Sequence, residues 1–113
     1  ANTFDDIKQL PRVAIDYIGL GPYHYTTTKQ NLSPVIGIDG YKKIMEQYAL
    51  TDIEHPIVAI GGITLNDIEP IMATGVHGVA VSGSIIRASD PTEATRQMLQ
   101  LLERITANRK LNF

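Results

Sequence analysis

The sequence has no cysteine. That removes disulfide frameworks, thiolate-bound zinc and thiol nucleophiles in one step. It also lacks an excess of charge of either sign. Ten Lys and Arg against twelve Asp and Glu give a net charge of -2, so there is no basic surplus to neutralise a nucleic-acid backbone or an anionic lipid surface. No apolar run approaches the ~20 residues of a membrane span, and Ala1–Phe4 does not open a signal peptide. Paired carboxylates, a metal-binding triad and a Ser/His/Asp set are equally missing from the pattern. What remains is 113 residues, 43% hydrophobic and 19% charged. This is apolar enough for a packed core, and the expectation is a globular, cytoplasmic protein. The chain opens on Ala1-Asn2-Thr3-Phe4 without an initiator methionine and is expected to be part of something longer.

Three short apolar runs carry the strand signal: Asp16–Pro22, Pro56–Gly62 and Gly78–Gly83. Each is β-branched or small in character, ends in glycine, and does not alternate apolar with polar, as strands buried on both faces of a parallel sheet do. Helical patterns separate them. Tyr41, Ile44, Met45, Tyr48 and Ala49 share one face. Thr64 and Asp67 form a capping box with a shorter acid, ahead of Ile68, Ile71 and Met72, with Gly75 as the stop. Asp90, Pro91 and Glu93 start a last helix whose stripe is Ala94, Met98, Leu101, Leu102 and Ile105. Phe4 to Leu10 reads as the tail of an earlier helix. Met45, Met72 and Met98 belong to the core.

Strands alternating with helices imply right-handed crossovers and a parallel sheet. Three strands alone leave both edges unpaired. The expected fold class is therefore α/β, about three βα units forming the C-terminal part of a (β/α)8 barrel, a fold of ~250 residues. A small doubly wound sheet is the rival. Residues 1–113 are expected to form one partial domain.

The glycines favour the barrel. Ile60-Gly61-Gly62-Ile63-Thr64 and Val81-Ser82-Gly83-Ser84-Ile85 each place glycine where a strand gives way to a helix. Backbone N–H groups there can approach an anion closely, and the last two βα loops of barrel enzymes often form a phosphate site. The bland alternative is that glycine only permits tight turns. The segment Gly21–Gly37 is longer than a βα connection needs, and holds Thr26, Thr27, Thr28 and Lys29, hydroxyls and a cation suited to phosphate or diphosphate. His24 is a candidate general acid or base by residue type but has no recognisable partner in the sequence, and a lone histidine reads more readily as structural. His55 and His77 read as surface residues, and Asp16 as a residue of the barrel's stability face.

Asp16-Tyr17-Ile18-Gly19-Leu20-Gly21-Pro22, Thr26-Thr27-Thr28-Lys29, Pro34-Val35-Ile36-Gly37-Ile38-Asp39-Gly40 and Ala59-Ile60-Gly61-Gly62-Ile63 together resemble the C-terminal half of the thiamine phosphate synthase family, in order and in spacing. The resemblance implies a barrel transferase of thiamine biosynthesis. It joins hydroxymethylpyrimidine diphosphate to thiazole phosphate and releases diphosphate with Mg2+. It also implies that Lys29 binds diphosphate as the catalytic residue. Thr26, Thr27 and Thr28 then line the thiazole phosphate site, completed by Gly61, Gly62, Ser82, Gly83 and Ser84. The chain departs from the family in carrying His24-Tyr25 where an aromatic residue and proline are usual, and Ser82-Gly83-Ser84 after the last strand. Counterparts of the family's pyrimidine-binding Arg and Lys and of its Mg2+-binding aspartates are not found in these residues. They are expected in a preceding half, without which the chain is expected to be inactive. A thiazole tautomerase-like relative and a non-catalytic phosphate-binding half-barrel are the other readings. Partners are expected to be phosphorylated small molecules, with homo-oligomers formed through uncovered faces, and neither nucleic acid nor membrane.

Overall fold

The computed structural model describes residues 1–10, 15–24 and 34–111. Helix α1 (Phe4–Gln9) begins where Thr3 accepts the Asp6 N–H and Asp6 accepts the Thr3 N–H, a reciprocal cap that satisfies two otherwise orphaned donors. Strand β1 (Ile18–Leu20) follows, then α2 (Gly37–Ala49), β2 (Ile57–Ala59), α3 (Leu65–Met72), β3 (Gly78–Val79), the single turn α4 (Gly83–Ile86) and α5 (Pro91–Leu111). The strands form one parallel sheet in the order β1-β2-β3, with Ile18 opposite Ile57 and Val58 opposite Gly78. Ala1 lies alongside β1. Its amino group donates to the Gly19 carbonyl at 2.7 Å and its carbonyl accepts the Gly21 N–H at 3.0 Å, the bond pattern of a parallel ladder.

The core fills the space between sheet and helices. Ile18, Leu20, Ile57 and Ala59 face Tyr41, Ile44 and Met45 of α2 and Ile68, Ile71 and Met72 of α3, all buried. Tyr41 is the largest of them, and its hydroxyl donates to the Leu20 carbonyl. Burial holds this phenol well above its ordinary pKa, so it stays a neutral donor. The three methionines are core, as the helical spacing predicts.

Several expectations change. Ala49, the last residue of α2, is exposed. The third strand is only two residues long and half-buried, with Ala80 and Val81 past its end. Burial on both faces fails as well: Gly19 and Val58 alternate half-covered with buried neighbours. Among the described side chains of α5 only Met98 is buried, while Leu101, Leu102 and Ile105 are half-buried. The α5 start is as read, Asp90 Oδ1 accepting the Glu93 N–H at 3.1 Å. Among the described residues no helix is long and apolar enough to cross a membrane.

At the opposite end of β2 from its glycines, His77 is exposed but engaged. Its Nδ1 accepts the Ile57 N–H at 2.9 Å, while its own N–H donates to the Ile57 carbonyl at 2.8 Å. Desolvation and then the charge of Arg109 hold the imidazole below its ordinary pKa. The unfolded chain therefore takes up the proton first on acidification. The stability contributed is present above about pH 6.5 and lost as pH falls through the lower folded value. His77→Asn, which offers a non-titrating acceptor, is expected to flatten the fall in urea midpoint between about pH 7 and pH 5; an unchanged fall would remove His77 from that dependence.

Candidate functional site

Parallel strands put their C-terminal ends on one edge, and the backbone ties those ends together. Ile60 N–H donates to the Leu20 carbonyl (3.1 Å), Tyr23 N–H to Ile60 (3.0 Å), His24 N–H to Gly61 (3.0 Å) and Ala80 N–H to Ala59 (2.8 Å). Gly61, Gly62, Ser82, Gly83 and Ser84 therefore stand at the tips of neighbouring strands. Thr26, Thr27, Thr28 and Lys29 lie outside the described residues, though the segment bearing them leaves and returns at this edge. Its two feet are pinned: Ile36 N–H donates to the Pro22 carbonyl at 2.9 Å, and one Asn2 amide nitrogen donates to Gly21 (3.0 Å) and Pro34 (2.9 Å).

The two glycines after β2 have distinct reasons. A β-carbon on Gly61, at φ 95°, would lie 2.6 Å from Pro22 Cα and 2.7 Å from Pro22 Cβ. Only glycine lets the β1 and β2 tips meet that closely. Gly62, at φ 68°, turns the chain into α3. The bland reading thus has real weight at Gly61, where close packing alone requires the residue.

The start of α3 is already occupied. Asp67 Oδ2 accepts both the N–H and the hydroxyl of Thr64 at 2.9 Å, so the cap uses donors that an anion would otherwise find there. Oδ1 of the same carboxylate lies 3.3 Å from His24 Nε2. Desolvation pushes the Asp67 carboxyl up, but the Thr64 N–H, the Thr64 hydroxyl and His24 outweigh it and hold it below the usual carboxylate range. His24 therefore has the partner that the sequence did not reveal, 43 residues away. Its ring meets Tyr23 edge-on at 4.3 Å. Tyr23 is buried, and burial followed by the Asp67 charge raises its phenol pKa.

After β3 the chain turns at Ser82 into α4. The Ser82 hydroxyl makes no capping bond. Ser84 donates its hydroxyl to the Ile63 carbonyl at 3.0 Å, which joins the third tip to the second and commits that proton to the scaffold. The guanidinium of Arg87 folds back over Gly83. Asn2, Asp67 and Arg87 were not singled out as site residues by the sequence. Arg87 stands four residues after Gly83, the spacing that delivers a helical side chain one turn back, whereas nothing local marks Asn2.

A groove of about 360 Å³ between α3 and α5 is lined by Leu65, Asn66, Glu69, Gln97, Gln100, Leu101 and Arg104. None of the glycine-tip residues lines it. Among the described residues no three His, Asp or Glu converge to hold a metal. Mg2+ asks for about six oxygen ligands, and both oxygens of Asp67 are engaged by Thr64 and His24. The described residues therefore do not fit a magnesium site.

The described residues define a parallel α/β protein whose glycine-bearing strand ends share one edge. Comparison makes the class specific. Residues 1–85 match the family described as thiamine monophosphate synthase. Relatives named thiamine-phosphate synthase include one from Bacteroides thetaiotaomicron, 54% identical over 101 residues, which span 89% of this chain and 48% of the relative. Another, from Flavobacterium johnsoniae, is 50% identical over 108 residues, 96% of this chain and 50% of the relative. The solved thiamine phosphate pyrophosphorylase from Pyrococcus furiosus superposes with a TM-score of 0.74 at 28% identity, over 93% of this chain and 47% of that one. The chain belongs to the thiamine monophosphate synthase family. It spans about half the length of the curated relatives it matches.

Proposed function

We propose that these residues are the C-terminal portion of a (β/α)8-barrel thiamine-phosphate synthase, a single partial domain of that barrel. The enzyme would be a cytoplasmic transferase acting on phosphorylated small molecules. The observation that carries the reading is the shared edge: three consecutive parallel strands in sequence order end there, two of them in glycine-rich tips. The strand order does not reverse, and a reversal is what creates the binding crevice of a doubly wound sheet. Ala1, in ladder register beside β1, supports a closed sheet in which β1 is not an edge. The names of the relatives supply the product, thiamine phosphate, and the two substrates are those that the family resemblance implies.

In the proposed reaction, the bond from the pyrimidine methylene carbon to the diphosphate oxygen breaks, diphosphate leaves with the electron pair, and the thiazole nitrogen attacks the carbon. Negative charge grows on the departing oxygens. Fixed donors and cations aimed there lower the barrier without reorganising. Lys29 would face the diphosphate. Thr26, Thr27, Thr28, Gly62, Ser82 and Gly83 would hold the phosphate of the thiazole. Gly61 and Ser84 would act mainly by fixing the tips to each other. Mg2+, with ligands outside the described residues, would neutralise diphosphate charge.

The test is product formation. A full-length polypeptide containing these residues is expected to form thiamine phosphate from the two substrates with Mg2+ and to stop when the metal is chelated. The 113-residue piece alone is expected to form none. A folded full-length protein that yields no product overturns the proposal.

A further inference from the structure

Helical side chains lean toward the N-terminus of their helix and cover the turn before their own Cα. Arg87 ends α4, its N–H donating to the Gly83 carbonyl at 2.9 Å, so its side chain is delivered over Gly83. A β-carbon on Gly83 would lie 2.7 Å from the guanidinium carbon and 2.9 Å from Nη1, with Nη2 closer still. The guanidinium occupies space that exists because residue 83 has no side chain.

Among the described residues no ion pair or hydrogen bond holds the guanidinium there. Arg87 is exposed, and no carboxylate among the described residues pairs with it. The first turn of α4 carries no acid. The nearest carboxylate in sequence, Asp90, uses Oδ1 on the Glu93 N–H. A cation at the end of a helical turn gains by staying beside the terminal carbonyls. Arg87 instead reaches back toward the exit of β3, where the Ser82 hydroxyl makes no cap bond. The Arg87 guanidinium lies over Gly83, next in sequence to Ser82 at the strand exit, and no carboxylate among the described residues pairs with it; a cation so placed can receive an anion.

We propose that Arg87 is a phosphate ligand of this site, its guanidinium held over Gly83 to grip the phosphomonoester of one substrate beside Ser82. The identification of that phosphomonoester with the thiazole phosphate rests on the synthase reading; the anion-binding role of Arg87 does not. The single turn α4 contributes little field of its own, and the positive charge comes from the side chain. Arginine suits the task because its planar fork donates two parallel bonds to phosphate oxygens, which lysine cannot do. Gly83 then sets specificity indirectly, since any side chain there displaces the guanidinium.

Three variants of the full-length enzyme test this. Arg87→Gln is expected to raise KM for the thiazole phosphate, and the inhibition constant of inorganic phosphate, by about 10- to 100-fold, the range of a lost hydrogen bond to a charged group. kcat and KM for the pyrimidine diphosphate should stay within a few-fold. Arg87→Lys should recover part of the loss. Gly83→Ala, with the arginine intact, should raise the same KM at unchanged melting temperature. Equal KM and phosphate inhibition in Arg87→Gln and wild type overturn the proposal. So does a uniform loss for both substrates with a lowered melting temperature, the signature of a structural role. If the wild-type enzyme makes no thiamine phosphate, the synthase reading falls separately. Calorimetric titration of wild type and Arg87→Gln with inorganic phosphate then decides Arg87 alone: weaker binding by the variant supports it, and equal binding or none to either refutes it.

Discussion

Replacing Lys29 with alanine in the full-length enzyme is expected to lower kcat by about 10²- to 10³-fold, the cost of removing one donor aimed at charge that develops in the transition state. Diphosphate departure is the charge-separating step of the proposed reaction, and an ammonium group at the leaving oxygens stabilises the transition state more than the ground state. Most of the effect should therefore fall on kcat, with a smaller rise in KM for the pyrimidine diphosphate. Lys29→Arg should recover part of the rate, because it keeps the charge but moves it. Steady-state rates at saturating thiazole phosphate give the split. A rate for Lys29→Ala within a few-fold of wild type would remove Lys29 from the diphosphate site.

The βα order and parallel sheet were legible because they rest on local chemistry. Thr64 with Asp67 and Asp90 with Glu93 announce helix starts, and the apolar Ile57–Ala59 run marks a strand whose Ile57 and Ala59 are buried. The end of a strand or stripe was not legible, since it depends on what packs above it: β3 stops at Val79 and Ala49 is exposed. The candidate site divides the same way. Glycine after a strand is visible in the sequence, but which glycine serves packing is not. Gly61 is fixed by Pro22, a residue 39 positions earlier that only the folded sheet brings beside it. The His24–Asp67 and Asn2–Pro34 contacts are likewise long-range.

That packing role makes Gly61 the second strong test. Gly37→Ala and Gly61→Ala both put a β-carbon on a residue with positive φ, 67° and 95°. At Gly37 nothing lies within 4 Å of the new atom, so the cost should be the conformational one alone, about 1–2 kcal/mol. At Gly61 the atom meets Pro22 Cα at 2.6 Å and Tyr23 N at 3.2 Å. Main-chain atoms cannot rotate aside, which adds an overpacking cost of about 1–3 kcal/mol. Relief would come from parting the β1 and β2 tips, at the expense of the Tyr23–Ile60 and His24–Gly61 bonds. Urea unfolding of the full-length protein should show Gly61→Ala the less stable of the two. Its KM for thiazole phosphate should also rise, because the feet of the Thr26–Lys29 segment move with the tips. Equal urea midpoints for the two variants would mean that the close approach of Gly61 to Pro22 does not hold the strand ends together.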